Sequence, residues 1–349
     1  MDHPQHVALA LGSGGARGYA HIGVIQVLQE WEIGIVSVAG SSMGALVGGM
    51  FAAGSLATYT DWACNLTRFD VLRLLDVSFS SSGAIRAEKI LAKVRELAAG
   101  ALIEDLPIPF TAVASDLAAR KAVWFQRGPL DVAIRASIAI PGVFAPVMLN
   151  GRVLVDGGLM DPVPIVATAS SRADATIAVD LGGLRSNSFG TAPVKETAED
   201  RPIEEWAERF KRTASNLFDR DIVRSLMSRM DRSSPNEAAS ADESGSSDGE
   251  SSLDAVEPIV HSVDLFETLP AGLGKFDVMN QSLEAMQTVL TRFRLAGNPP
   301  DVLITVPKDA CRTLDFHRAG EMIELGRTLT VEALERAGLT KPGPTETVS

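Results

Sequence analysis

A serine with a glycine two residues away on each side has chemistry open to it that an ordinary serine lacks. Ser42 is such a residue: the stretch "VAGSSMGALVGG", residues 38–49, sets it between Gly40 and Gly44. An apolar, β-branched run precedes it and a small, apolar run follows. A sharp strand-to-helix turn would project the hydroxyl outward, and flanking glycines let such a turn close. The helix that follows would aim its first N–H groups at the site and favour negative charge developing there. This is the setting of a nucleophile. The bare pattern also fits a plain turn serine.

A second glycine cluster, "GSGGARG" at 12–18, again lies between a predicted strand and a predicted helix. As a dinucleotide cradle it fails, because Gly12 and Gly14 fit Gly-x-Gly-x-x-Gly but Arg17 stands at the third glycine. No acidic residue ends the next predicted strand, and a Gly-Lys-Ser/Thr phosphate loop is absent. The better reading is an oxyanion hole. The N–H groups of Gly14 and Gly15, unshielded by any Cβ, would hold the oxygen of a tetrahedral intermediate. Arg17 would add positive charge or anchor the loop, which Gly18 closes. A third motif, "VDGGLMDP" at 155–162, ends a predicted strand in Asp156, and Gly157 and Gly158 leave its carboxylate approachable. Ser42 needs a base, and Asp156 is one candidate. The order Ser, Asp, His offers another, with Ser42, Asp156 and either His261 or His317. At the level of residues both remain open.

The elements that must position these groups alternate along the chain. Predicted strands cover 6–11, 35–39, 110–116, 121–126, 152–158, 175–183 and 301–306. Predicted helices cover 19–31, 43–54, 87–97, 129–140, 279–295 and 318–337. This alternation indicates a parallel or mixed sheet with helices on both faces. The window from Ile33 to Thr60 carries no charge and is long enough to span a bilayer. Its many glycines and serines, and its split into a β-branched half and an Ala/Leu/Met half, fit a strand and a buried helix better. Residues 201–230 show helical periodicity. Residues 231–257 are dominated by Ser, Asp, Glu and Ala, a composition that cannot bury enough apolar surface to order itself. The expected organisation is a core at 1–183, a helical segment and acidic insertion at 184–258, a return to the same domain at 259–338, and a tail at 339–349.

With 349 residues, 46% hydrophobic and 22% charged, the chain has the composition of a soluble globular protein with a sizeable core. Its net charge of −12 argues against a nucleic-acid partner. The two cysteines, Cys64 and Cys311, are too far apart and too few for a disulfide scaffold or a metal cluster. A cytoplasmic location is expected, since "MDHPQH" lacks the basic and apolar regions of a secretory signal. Residues 201–232 carry eight Lys/Arg and six Asp/Glu with Trp206 and Phe210 on the apolar side. That balance allows peripheral contact with a membrane, though packing over the core, as a lid, fits it better.

Taken together, "LGSGGARGYAHIGV", "AGSSMGALVGG", "RASIAIPGVFAPV" and "LVDGGLMDPVP" resemble the patatin-like phospholipase family, in particular bacterial members related to the neuropathy-target-esterase group. The resemblance covers roughly residues 5–183 and 270–330. It implies a three-layer α/β/α sandwich with a mostly parallel central sheet. It also implies a lipid acyl hydrolase with a dyad that lacks histidine and requires no cofactor or metal. Ser42 would be the nucleophile, Asp156 the proton acceptor, and the Gly14–Gly15 region with Arg17 the oxyanion hole. The substrate would be a lipid ester. An acyltransferase using the same nucleophile, and a binding module that kept only the fold, are the competing readings. Where the family's loop usually has a further glycine this chain has Ser13. A dyad needs Asp156 to hold a proton well, so Arg17 is expected to face another partner.

Overall fold

The computed structural model describes residues 4–74, 88–183 and 275–341. The chain divides into two units, Met1–Thr191 with Lys275–Ser349, and Ala192–Gly274. The second lies outside the described residues, as do the helix expected at 201–230, the acidic insertion at 231–257 and His261.

The first unit is built on one eight-stranded sheet. Its strands are β1 (His6–Leu11), β2 (Gly34–Ser41), β3 (Phe110–Asp116), β4 (Lys121–Phe125), β5 (Val147–Leu149), β6 (Arg152–Asp156), β7 (Ala175–Gly183) and β8 (Val302–Pro307). The order is β5-β6-β3-β2-β1-β7-β8, with β4 also paired to β3. Pairs β3–β2, β2–β1, β1–β7 and β7–β8 are parallel, whereas β4, β5 and β6 join antiparallel. Sequence patterns match these places. The central β1 is apolar almost throughout and buried in five of its six residues, while edge strand β8 alternates buried and exposed positions.

The helices are α1 (Ala20–Glu30), α2 (Met43–Ala52), α3 (Leu56–Cys64), α4 (Arg68–Leu74), α5 (Glu88–Ala98), α6 (Leu130–Ser137), α7 (Lys275–Gly297) and α8 (Ala319–Arg336). Side chains of α1, α2, α6 and α8 form the main core with Val7, Leu9 and Leu11 of β1. The alternate residue Ala10 faces the other side of the sheet. There it packs with Ala178, Val163, Ile165 and, from α7, Leu295. The result is a mixed, mostly parallel sheet flanked by helices. The uncharged window at 33–60 resolves into β2, α2 and the start of α3. No helix among the described residues is long and apolar enough to cross a membrane. The sequence reading passes over α3, α4 and β5, which are short and weakly periodic. It also runs the predicted helix at 129–140 beyond Ser137, where α6 ends.

Helices α1 and α8 touch almost backbone to backbone. A Cβ on Gly326 would collide with the carbonyl of Ala20, and Arg327 flanks the contact by donating to Gln26 and Glu30. Gly326→Val should therefore cost about 3 kcal/mol or prevent folding. Gly320→Ala in the first turn of the same helix, where nothing lies within 4 Å, should gain about 0.5 kcal/mol. Urea denaturation of the two variants checks both signs.

Candidate active site

Ser42 joins the end of β2 to the start of α2 with φ 56° and ψ −122°. A non-glycine residue rarely holds positive φ, and such strain persists only where the surroundings enforce it. Close packing enforces it here. A Cβ on Gly40 would strike the carbonyl of Gly44, and one on Gly44 would strike the carbonyl of Leu11 at the end of β1. The elbow is also pinned by Ser137 at the end of α6. Ser42 N–H donates to Ser137 Oγ at 2.9 Å, and Ser137 Oγ–H donates to the Val113 carbonyl at 2.5 Å.

Strand β3 brings the second motif to the first. One of its edges pairs with β4 over Ala112–Asp116. The other edge pairs with β2 up to Val113, opposite Ser41, and then with β6 from Ala114, opposite Asp156. Two consecutive residues of β3 thus seat the elbow and the carboxylate side by side. Ser42 Oγ–H donates to Asp156 Oδ2 at 2.5 Å, and Gly158 N–H donates to Oδ1 at 2.8 Å. Both side chains are almost fully buried, at 2% and 3% exposure. Burial disfavours the charged carboxylate and pushes the Asp156 pKa up to about 6, against the opposing pull of bonds from Ser42, Gly158 and Ser13.

The glycine loop lies beside this pair. Its Gly12 and Ser13 N–H groups donate to Val179 and Pro162, and Ala16 N–H donates to Thr313. The Gly14 and Gly15 N–H groups make no such bond among the described residues. Gly14, Gly15, Arg17, Ser42 and Asp156 all line one cavity of about 300 Å³. Arg17 is buried and turns away from Asp156, donating to the carbonyls of Lys308 at 2.9 Å and Cys311 at 3.5 Å. Gly18 packs under Met43, while Gly157 and Gly158 follow Asp156 in a tight turn over Val113 and Ser13.

Of the two histidines that the sequence offers as a base, His317 is described, and a further histidine, His21, lies beside the glycine loop. His21 Nε2 bonds the Gly12 carbonyl at 2.8 Å, so that nitrogen carries the proton, and burial lowers its pKa to about 4. It braces the loop as a neutral ring. His317 sits at the start of α8 and accepts from Arg68. Among the described residues no histidine bonds to Ser42 or Asp156, and no group of three or more His, Cys, Asp or Glu could hold a metal ion. A second, apolar cavity also opens on Ser42, lined by Met43, Leu46, Tyr59, Trp62, Ile138 and Phe144 among others.

A model of the patatin-like phospholipase family matches residues 9–169, which hold the glycine loop, the elbow and Asp156. NTE family proteins of Mycobacterium bovis and Mycobacterium tuberculosis are each 50% identical to the chain over 335 residues, 94% of this chain and 91% of theirs. The chain belongs to the NTE family. A protein named lysophospholipase NTE1, from Cryptococcus neoformans, is 31% identical over 192 residues, covering 53% of this chain but 12% of that one. The family model and that fungal relative both carry names that refer to phospholipid hydrolysis.

Sequence reasoning assigned no role to Ser137 or Ser13. Ser137 lies inside "RASIAIPGVFAPV", whose residues carried the resemblance without a function. Its signal, a serine closing a helix, is too common to single out. Ser137→Ala would leave the buried Ser42 N–H without an acceptor, at a cost of about 1–3 kcal/mol. An unfolding free energy lowered by that amount in urea denaturation of Ser137→Ala, with Ser137→Thr keeping most of the wild-type stability, is the expected result.

Proposed function

We propose that this protein is a serine-dependent lipid acyl hydrolase, of phospholipase A or lysophospholipase type, working through an acyl-enzyme on a Ser42–Asp156 dyad. The observation that carries the reading is the hydrogen bond from Ser42 Oγ to Asp156 Oδ2, inside a cavity that two unengaged backbone N–H groups also line. The name of the fungal relative, a lysophospholipase, supports the substrate class.

In this reading Ser42 Oγ attacks the ester carbonyl carbon while its proton passes to Asp156. The tetrahedral oxyanion rests against the Gly14 and Gly15 N–H groups and the N-terminal end of α2. The carbon–oxygen bond to the alcohol breaks, and Asp156 returns the proton to the departing oxygen. A water molecule then attacks the acyl-serine, its proton goes to Asp156, and Ser42 leaves with that proton as the free acid forms. Asp156 suits both directions. A pKa of about 6 makes it a far better base than a free aspartate at about 3.9, yet leaves it mostly ionised at pH 7. Arg17 serves by being elsewhere, because a guanidinium on Asp156 would erase that gain. The acyl chain occupies the apolar cavity.

Ser42→Ala and Asp156→Asn should each remove esterase turnover while keeping the fold by circular dichroism. Labelling by a fluorophosphonate probe should vanish in Ser42→Ala, and retained turnover there would defeat the mechanism. Protonated Asp156 accepts no proton, so kcat/KM should fall on the acid side with an apparent pKa near 6. Ser13→Gly removes a bond that favours the ionised carboxylate and should move that acid limb to higher pH.

A further inference from the structure

Two cavities open on Ser42, and they differ in kind. If the apolar one takes the acyl chain, the other must take the alcohol part of the ester, since the scissile bond sits at Ser42 where they meet. The walls of this second arm are charged, with Arg17, Asp180, Glu284, Arg292 and Lys308 all lining it.

Most of these charges are already committed. Lys308 Nζ lies 2.6 Å from Glu284 Oε2. Arg17 is bound to two carbonyls, and the field of Asp180 reaches it. Its Nε–H, also buried, still lacks a hydrogen-bond partner. Arg292 stands apart. It lies one turn beyond Thr288 on the face of α7 that lines the arm, is exposed, and makes no hydrogen bond or ion pair among the described residues. Asp156 also lines the cavity but is engaged by Ser42 and Gly158 at the catalytic end, so the one formal charge of the alcohol arm without a partner among the described residues is the positive charge of Arg292. An unpaired guanidinium on its exposed wall and an unpartnered guanidinium N–H on its buried wall both call for an anion.

We infer that Arg292 is a specificity residue, binding the phosphate of a phosphoglyceride headgroup while Ser42 works on the acyl ester. The inference rests on the reading of Ser42 as nucleophile. A glycerol carrying a phosphodiester presents oxygens that a guanidinium binds in bidentate fashion, whereas a neutral glyceride offers Arg292 nothing comparable.

The test uses the full chain, with lysophosphatidylcholine and a monoacylglycerol of the same acyl chain, both below their micellar concentrations. In Arg292→Ala the ratio of kcat/KM for the phosphate ester over the neutral one should fall about tenfold, carried by KM, with partial recovery in Arg292→Lys. A ratio that stays constant overturns the inference. Binding of an ether-linked lysophospholipid, which cannot be hydrolysed, separates the two readings. Weaker binding to Ser42→Ala/Arg292→Ala than to Ser42→Ala supports the subsite even if no ester is turned over, in which event only the nucleophile reading fails. Equal binding to the two overturns it. Inorganic phosphate competing as tightly as the ether lipid would assign the site to free phosphate and overturn the headgroup assignment.

Discussion

Everything in the site depends on one shared strand edge. Strand β3 pairs with β2 up to Val113 and with β6 from Ala114, so the edge changes partner between two adjacent residues. That exchange is possible because β2 stops at Ser41, where the chain leaves the sheet through the Ser42 elbow. The antiparallel β6 fills the vacated edge and delivers Asp156 to within hydrogen-bond reach of the serine it replaced in the sheet. Val113 even supplies the carbonyl that orients Ser137, which in turn holds the Ser42 backbone. A strained serine, its support and its carboxylate partner are thus referred to the same two peptide units.

The electrostatics follow from that placement. Seated against the sheet, Asp156 loses water, and the resulting penalty on its charged form outweighs the three hydrogen bonds that favour it. The neighbouring ionisable groups are kept from interfering. Arg17 is tied to carbonyls of the segment after β8, and His21 is neutral beneath the loop. The turn after Asp156 is held from both sides, by Ser13 N–H donating to Pro162 and by Arg294 of α7 donating to Met160 at 2.9 Å beside the buried Asp161. Helix α7 therefore touches both the base's turn and the charged wall of the cavity, which makes it the element joining chemistry to substrate selection in the proposed function.

Much of this was legible in the residues alone. The glycines at 40 and 44 announced a tight turn around Ser42, and β-branched and apolar runs marked β1, β2, β3 and β7, because burial on both faces of a sheet leaves so clear a pattern; a shorter such run marked the edge strand β8. The predicted helices at 19–31, 43–54, 87–97 and 318–337 lie, to within one or two residues at each end, where α1, α2, α5 and α8 lie. Short elements such as β5, α3 and α4 were not legible, since three to nine residues carry too little periodicity to stand out from loop.

What the sequence by itself determined is the set of local geometries. It specified a serine on a sharp turn, a loop with exposed N–H groups, and an aspartate ahead of a glycine pair. Each of these is decided by residues a few positions apart. What only the tertiary structure decided is which of them meet. Ser42 and Asp156 are 114 residues apart, and their contact is a matter of register on β3. Ser13 and Ser137 acquired meaning only as partners of that contact, and Arg17 its bonds to Lys308 and Cys311 only through the return of the chain after β8. Side-chain type and spacing record what a residue is able to do. Sheet pairing between distant segments, which leaves no local trace, records with whom.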